Sequence, residues 1–281
     1  MRSPAELVPR IPEPLRVVLR NAVWGTGTLT ARLRPLPDFL ILGAPQSGTT
    51  ALYPNRRRPP EVTGPAGKEV SYFDRHYRRG PAWYRGNFPL RAHGAIVGEA
   101  SPSYLFHPLA PERAAALLPN ALLIALVRDP ADRAHSHYHH EVALGREELP
   151  FEEALEREEE RLAGELDRMH DDSGYFSHAW WNHTYLARGR YAEQLARWLD
   201  HFPRERLLVL SNEELAERPA ETYARVLEFL GAPPHRLASY PRVYDRDYPA
   251  MRPETRLKLA VAYAEPNRRL YALLGRDLGW G

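Results

Sequence analysis

Residues 38–50 read Asp38-Phe-Leu-Ile-Leu-Gly43-Ala-Pro-Gln-Ser-Gly48-Thr49-Thr50. The first half is a continuous apolar run that ends at a glycine, which is typical of a strand buried on both faces of a parallel sheet. The second half is a glycine-containing loop, and a helix is predicted to begin at Thr49 and Thr50. Backbone N–H groups in such a loop, together with the dipole of the following helix, can hold an anion. The segment therefore predicts a phosphate-binding loop between a strand and a helix.

Two further apolar runs, at 121–127 and 207–210, predict buried strands of the same sheet. A helical stretch, 111–118, precedes the first of them, and an amphipathic stretch, 191–202, precedes the second. Strands that alternate with helices at this spacing indicate a doubly wound α/β fold. We therefore predict a P-loop-type central parallel sheet that is flanked by helices.

A segment dense in Glu and Arg, 151–168, lies between these elements. Its helical spacing predicts a solvated helix with ion pairs between residues i and i+4. No internal repeat or linker interrupts the chain after residue 38. The sequence thus predicts one domain over 38–281, preceded by an arm over 1–37 that is rich in Pro and Arg.

Composition excludes several classes of protein. The 281 residues include 38 basic and 36 acidic side chains, for a net charge of +2, and only Lys68 and Lys258 are lysines. A charge so close to balance argues against nucleic acid as a partner. The absence of cysteine excludes disulfides, thiolate metal sites and cysteine nucleophiles. Because no apolar run is long enough to span a bilayer and the N-terminus lacks the apolar core of a signal peptide, we expect a cytoplasmic protein without a membrane span.

The loop Gly43–Thr50 is similar to the Walker pattern G-x-x-x-x-G-K-[ST], but Thr49 stands in the lysine position. This difference argues against a nucleoside triphosphatase, because the lysine that reaches the β- and γ-phosphates is missing. An alternative interpretation is a plain turn from strand to helix, with a glycine for positive φ and a threonine as N-cap.

Five segments together carry a more specific resemblance: GAPQSGTTALY (43–53), GKEVSYFDRHYRRGPAWYRGNFP (67–89), GEASPSYLFHPLAPERAAALLP (98–119), LVRDPADRAHSHYHHE (126–141) and EPNRRLYALLGRDLGW (265–280). In this order they resemble the sulfotransferases that use 3′-phosphoadenosine 5′-phosphosulfate (PAPS), above all bacterial sulfotransferases and the domains that modify heparan sulfate. The resemblance extends over residues 38–281. It implies transfer of a sulfuryl group to a hydroxyl or amine of a small-molecule or carbohydrate acceptor, with 3′-phosphoadenosine 5′-phosphate (PAP) as product and without a metal.

The resemblance also implies which residues bind the donor. It assigns the 3′-phosphate to Arg128 and Ser136, and a loop over the donor to Tyr244 and Arg246. From the residues alone, Arg128 could instead pair with Asp129 or Asp132, and the loop could be a surface turn. The 5′-phosphosulfate is assigned to five consecutive residues: Gln46, Ser47, Gly48, Thr49 and Thr50.

Catalysis is assigned by the same resemblance. Glu69 stands at the position of the glutamate that removes the acceptor's proton, and we expect its side chain to be partly buried. From its sequence context alone, a surface residue is the simpler interpretation. His140 matches a histidine close to the sulfuryl group. Gln46 occupies a position where the family has a lysine, so we predict that Lys68 or one arginine of 56–58 partly replaces the missing charge.

The level of activity, the acceptor site and the oligomeric state stay open at this point. If nothing replaces the lysine at position 46, the chain is a catalytically impaired relative that still binds PAPS or PAP. Aromatic residues over 147–190 could line an acceptor cleft or belong to the core. The crowding of histidines around Ser136 resembles a zinc site, but no further ligand has suitable spacing, so we predict no metal. The oligomeric state is not readable from the sequence.

Overall fold

The computed structural model describes residues 27–52, 61–65, 69–90, 94–237, 239–240 and 248–280. Within these residues one parallel sheet has five strands: β1 (Phe39–Gly43), β2 (Val62–Thr63), β3 (Ile96–Ala100), β4 (Leu122–Val127) and β5 (Leu207–Ser211). The order of the strands is β2-β3-β1-β4-β5. The predicted parallel α/β sheet is confirmed, and so are its three predicted strands.

The strand order places a crevice beside the loop that follows β1. After β1 the chain forms β2 and β3, which lie toward one edge of the sheet, and then β4 and β5, which lie toward the other edge. In open parallel sheets, ligands bind beyond the carboxyl ends of the strands at the point where the order switches. Here that point lies between the ends of β1 and β4, at Gly43 and Val127.

Helices cover both faces of the sheet. Within the described residues they are α1 (Thr49–Leu52), α2 (Gly80–Gly86), α3 (Ala110–Leu117), α4 (Pro130–Ala143), α5 (Phe151–Glu156), α6 (Glu158–Leu162), α7 (Glu165–Asp171), α8 (His178–Asn182), α9 (Tyr191–Leu199), α10 (Asn212–Glu217), α11 (Pro219–Phe229) and α12 (Pro253–Leu274). The predicted helices at 49–50, 111–118 and 191–202 correspond to α1, α3 and α9. No described helix is long and apolar enough to cross a membrane.

The core around the sheet consists of two apolar layers, one on each face. Side chains alternate along each strand, so Leu40 and Leu42 of β1 join the layer that contains Trp198 of α9. Phe39 and Ile41 join the opposite layer. Burial on both faces explains why β1 and β4 have continuous apolar sequences.

The single solvated helix predicted for 151–168 is wrong. The segment forms α5, α6 and the start of α7, and the chain turns at Gly164, whose φ is 73°. Glu158 is buried and accepts hydrogen bonds from the backbone N–H groups of Leu186 and Ala187. Two ion pairs within the segment span i and i+3 rather than i and i+4. The acidic side chains therefore anchor this segment to the protein instead of only solvating it.

Candidate active site

The loop after β1 has a backbone that its sequence explains. Gln46 and Gly48 both have positive φ, at 65° and 93°. A Cβ atom on Gly48 would lie 2.9 Å from Nδ2 of Asn212, which donates a 2.8 Å hydrogen bond to the Ser47 carbonyl oxygen. Glycine at position 48 therefore lets the loop pack against the start of α10. The buried hydroxyl of Ser47 has no hydrogen-bond partner among the described residues, so it can donate to a ligand.

The two residues predicted to bind the 3′-phosphate both contact this loop. Arg128 directly follows β4, and its Nη1 donates to the Gln46 carbonyl oxygen at 3.2 Å. Ser136, in α4, donates from Oγ to Oε1 of Gln46 at 3.4 Å. The pairing of Arg128 with Asp129 or Asp132 does not occur, because Asp129 caps α4 and Asp132 pairs with Arg256. Gln46 thus connects the loop to the end of β4 and to α4.

A cleft of about 250 Å³ opens beside the loop. It brings together residues that are far apart in the sequence: Pro45, Gln46, Gly48, Thr49, Glu69, Pro102, Ser103, His137, His140, Glu141, Trp181 and Arg188. Five of the predicted site residues are among them, whereas Ser47 and Thr50 belong to the same loop and helix start without lining the cleft. Lys68, Tyr244 and Arg246 lie outside the described residues, as do the arginines at 56–58.

Glu69 differs from expectation in its exposure. Its side chain is exposed rather than partly buried, although it lines the cleft. Its φ is 62°, and that of Ser71 is 51°. The segment is held by two hydrogen bonds: the Ser71 N–H donates to Ser101 Oγ at 3.0 Å, and the Tyr72 N–H donates to the Tyr104 hydroxyl at 2.7 Å.

A buried carboxylate supports these two hydroxyl groups. Glu99, at the end of β3, accepts hydrogen bonds from Ser101 Oγ at 2.6 Å, from the Tyr104 hydroxyl at 2.7 Å and from the Tyr84 hydroxyl. Burial raises the pKa of Glu99, and these hydrogen bonds oppose the shift. Glu99 therefore fixes the hydroxyl groups of Ser101 and Tyr104, which in turn position the backbone after Glu69.

Residues of the loop, a carboxylate and a histidine thus line one cleft, and comparison with known proteins identifies the family of the chain. The family model for the sulfotransferase domain matches residues 36–243. This chain belongs to the sulfotransferase family. The sulfotransferase is 32% identical to heparan sulfate glucosamine 3-O-sulfotransferase 3A1 of Mus musculus, over 90% of this chain and 68% of that protein.

Two further matches come from different kinds of sulfotransferase. One is the bifunctional heparan sulfate N-deacetylase/N-sulfotransferase 3 of Homo sapiens, 31% identical over 85% of this chain but only 30% of that protein. The other is the crystal structure of a sulfotransferase from Alicyclobacillus acidocaldarius, 32% identical with a TM-score of 0.70, covering 87% of this chain and 98% of that chain. The family and fold predicted from the sequence are confirmed.

Sequence reasoning missed two residues of α4 that line the cleft. His137 lies 3.6 Å from Glu141, measured from Nε2 to Oε1. Burial and the charge of Arg133 hold the pKa of His137 well below its usual value, so this imidazole is neutral at pH 7. Burial raises the pKa of Glu141. The spacing of positions 136, 137, 140 and 141 places them on one helix face, which is the signal that could have found them.

Arg188 is the other residue that the sequence did not reveal. Its side chain is 2% exposed and lines the cleft of the sulfotransferase. Burial, and next the charge of Arg133, lowers its pKa to about 9, so the guanidinium stays charged at pH 7. By contrast, His135 and His139 contact each other but do not line this cleft. No group of three or more His, Asp or Glu side chains within the described ranges is placed to hold a metal ion.

Proposed function

We propose that this sulfotransferase transfers a sulfuryl group from PAPS to a hydroxyl or amine of a sugar-like or other small acceptor. The observation that carries the proposal is the cleft, where Gln46, Gly48 and Thr49 of the loop meet Glu69 and His140. The names of the relatives support both kinds of acceptor, because one is a 3-O-sulfotransferase and another has an N-sulfotransferase activity.

Two features of the loop support a phosphosulfate site. The buried Ser47 hydroxyl lacks a partner among the described residues, and Gly48, with a φ of 93°, lets the loop adopt its conformation against Asn212. Bound PAPS would supply the sulfuryl group, with PAP as the product that leaves. We assign the 5′-phosphosulfate to residues 46–50, the 3′-phosphate to Arg128 and Ser136, and the loop over the donor to Tyr244 and Arg246.

A residue of the cleft can take the proton that the acceptor loses during transfer. Transfer forms a bond from the acceptor oxygen or nitrogen to sulfur, breaks the bond from sulfur to the bridging phosphate oxygen, and releases one proton from the acceptor. Glu69 is the proposed base that takes this proton, since its exposed carboxylate lines the cleft where an acceptor can reach it. His140 follows one turn after Ser136 in α4 and is proposed to orient the reacting groups.

One observation favours a second candidate function. Gln46 can donate a hydrogen bond but brings no positive charge, and losing such a stabiliser typically costs about 3–4 kcal/mol in the transition state. A chain that binds PAPS or PAP without efficient transfer would be a catalytically impaired relative. Lys68, which could restore the charge, lies outside the described residues.

Incubation with radiolabelled PAPS and a panel of acceptors separates the two candidates. The panel contains desulfated heparan sulfate, N-acetylated and free amino sugars, and simple phenols. We expect label on at least one acceptor, with stoichiometric release of PAP. Binding of PAP in calorimetry without transfer to any acceptor would support the impaired relative, and absence of both binding and transfer would overturn the donor assignment.

A Glu69→Gln variant tests the base in the same assay. We expect kcat to fall by about 10²–10⁴ fold, because proton removal is lost, while PAP affinity stays the same. Glu112→Gln, an exposed position outside the cleft, is the matched control. Loss of turnover in Glu141→Gln but not in Glu69→Gln would assign the base to the buried carboxylate of α4 instead.

A further inference from the structure

Hydrogen bonds from two of its three guanidinium nitrogens hold the Arg188 side chain at the cleft. Its Nε donates to Thr184 Oγ1 at 2.6 Å, and its Nη2 donates to the carbonyl oxygens of Trp180 and Trp181 at 3.2 and 3.3 Å. The guanidinium also stacks 4.9 Å from the ring centroid of Phe106. These contacts fix the plane of the guanidinium before any ligand arrives.

The remaining nitrogen, Nη1, has no hydrogen-bond partner among the described residues although it is buried. Asp74, Glu141 and Glu158 act on Arg188 electrostatically, but none forms an ion pair with it. A buried charged donor that is left unsatisfied destabilises the folded protein, so such groups are normally paired. An unpaired guanidinium nitrogen on a residue that lines a cleft therefore indicates an anionic ligand.

The charges around the cleft favour a cation at the position of Arg188. Arg188 is the one arginine or lysine among the described residues that line it, and the neighbouring His137 is neutral at pH 7. The family's loop lysine is replaced by Gln46, whose side-chain oxygen is engaged by Ser136. Two carboxylates, Glu69 and Glu141, line the same cleft and would repel an anion if no positive charge opposed them.

We propose that Nη1 of Arg188 donates to the sulfuryl oxygens of the donor and supplies the positive charge that position 46 lacks. This inference rests on the proposed function, because it takes PAPS as the donor. A donor that is already fixed in place stabilises developing negative charge without reorganisation at the moment of reaction. Arg188 then acts on the sulfuryl group, whereas Arg128 and Ser136 act on the nucleotide.

The difference between PAPS and PAP isolates this contact, since PAP lacks the sulfuryl group. Calorimetry of Arg188→Gln should show PAPS affinity reduced about tenfold or more, because a charge-assisted hydrogen bond is lost, and PAP affinity within about twofold of the wild type. Unchanged PAP affinity also shows that the variant is folded. Arg197→Gln is the matched control, because Arg197 contacts the Phe106 carbonyl oxygen from outside the cleft and should leave both affinities unchanged.

A double-mutant cycle of Arg188→Gln and Gln46→Lys, with turnover as the measured quantity, is the second test. If Arg188 supplies the missing charge, turnover falls by about 10²–10³ fold in Arg188→Gln, and Gln46→Lys raises it far more in that background than in the wild type. If Arg188→Gln does not fold, Gln46→Lys alone decides the question: a gain in turnover of less than about tenfold supports the proposal, and a larger gain overturns it.

Other outcomes are distinguishable. An equal loss of PAPS and PAP affinity in a folded Arg188→Gln variant, or a loss confined to the KM of an anionic acceptor, would overturn the inference while sulfuryl transfer by the wild type still supports the proposed function. Conversely, a PAPS affinity that depends on Arg188 in a protein that sulfates no acceptor would support the inference and reject the proposed transfer.

Discussion

Gly48 is a residue at which the loop tolerates little change. Its φ of 93° is unfavourable for other residues, and an added Cβ would meet Asn212 Nδ2 at 2.9 Å. We expect Gly48→Ala to lower the free energy of unfolding by about 1–3 kcal/mol. PAP affinity should fall about tenfold or more, because the loop that holds the phosphate must shift. Urea denaturation and calorimetry measure the two effects.

Gly145 provides the control for this prediction. It also has positive φ, at 67°, but nothing lies within 4 Å of its added Cβ. Gly145→Ala should therefore cost about 1 kcal/mol of stability from backbone strain alone and leave PAP affinity unchanged. Equal effects of both variants on PAP binding would show that the loop tolerates a side chain at Gly48.

At the scale of elements, α6 is anchored to the segment 186–187, which precedes α9. Glu158 accepts from the N–H groups of Leu186 (2.5 Å) and Ala187 (2.8 Å), immediately before Arg188. Glu158→Gln replaces one acceptor oxygen by a donor that faces an N–H group. We expect a loss of about 1–3 kcal/mol in the free energy of unfolding, measured with urea. Its exposed neighbour Glu159→Gln should change stability by less than about 0.5 kcal/mol, and a similar loss in both would contradict the anchoring role.

This anchor also explains why the sequence was misleading over 151–168. Glu and Arg at helical spacing are normally solvated, and nothing local distinguishes Glu158 from Glu159. Only the tertiary fold brings the donors of Leu186 and Ala187 to one of them. Strand β3 was missed for a related reason, since it contains Gly98 and Glu99. Gly98 lies under the ring of Phe39, where a Cβ would come within 2.0 Å, and Glu99 is buried among hydroxyl groups.

At the scale of the whole molecule, Asp74 gives stability a dependence on pH. Burial, and next the charge of Glu99, raises its pKa from 3.8 to about 7. A carboxyl group whose pKa is raised by folding stabilises the protein below its unfolded pKa, and this contribution is lost as pH rises through the folded pKa. The contribution of Asp74 to the free energy of unfolding therefore decreases as pH rises from about 4 to about 7.

An Asp74→Asn variant removes this dependence. We expect its free energy of unfolding, relative to the wild type, to increase by about 2–3 kcal/mol between about pH 5 and about pH 8. Urea denaturation at the two pH values measures the difference. Asp172→Asn, at an exposed carboxylate, serves as control, and a difference that does not vary with pH would show that Asp74 is already ionised in the folded protein at the lower pH.

The sequence predicted those parts of the site that are continuous in the chain. The apolar run of β1 and the glycine loop after it have local signals, and the resemblance placed Glu69 and His140 in the same cleft as that loop. Arg188 has no such signal, because it is one of many arginines and stands in a segment rich in aromatic residues. Its importance depends on burial and on an unpaired nitrogen, and neither property can be seen before the chain folds.

Helix α4 contacts the loop through Ser136 and lines the cleft with His137, His140 and Glu141. Because these side chains extend from one rigid helix, a displacement of α4 would alter the proposed nucleotide site and the cleft wall together. Redesign of substrate preference by changes within α4 would therefore disturb donor affinity as well. Trp181 of α8 also lines the cleft, and its side chain makes no hydrogen bond to the loop among the described residues. Because Trp181 holds Arg188 only through its backbone carbonyl oxygen, changes of its side chain are the better start for directed evolution toward new acceptors.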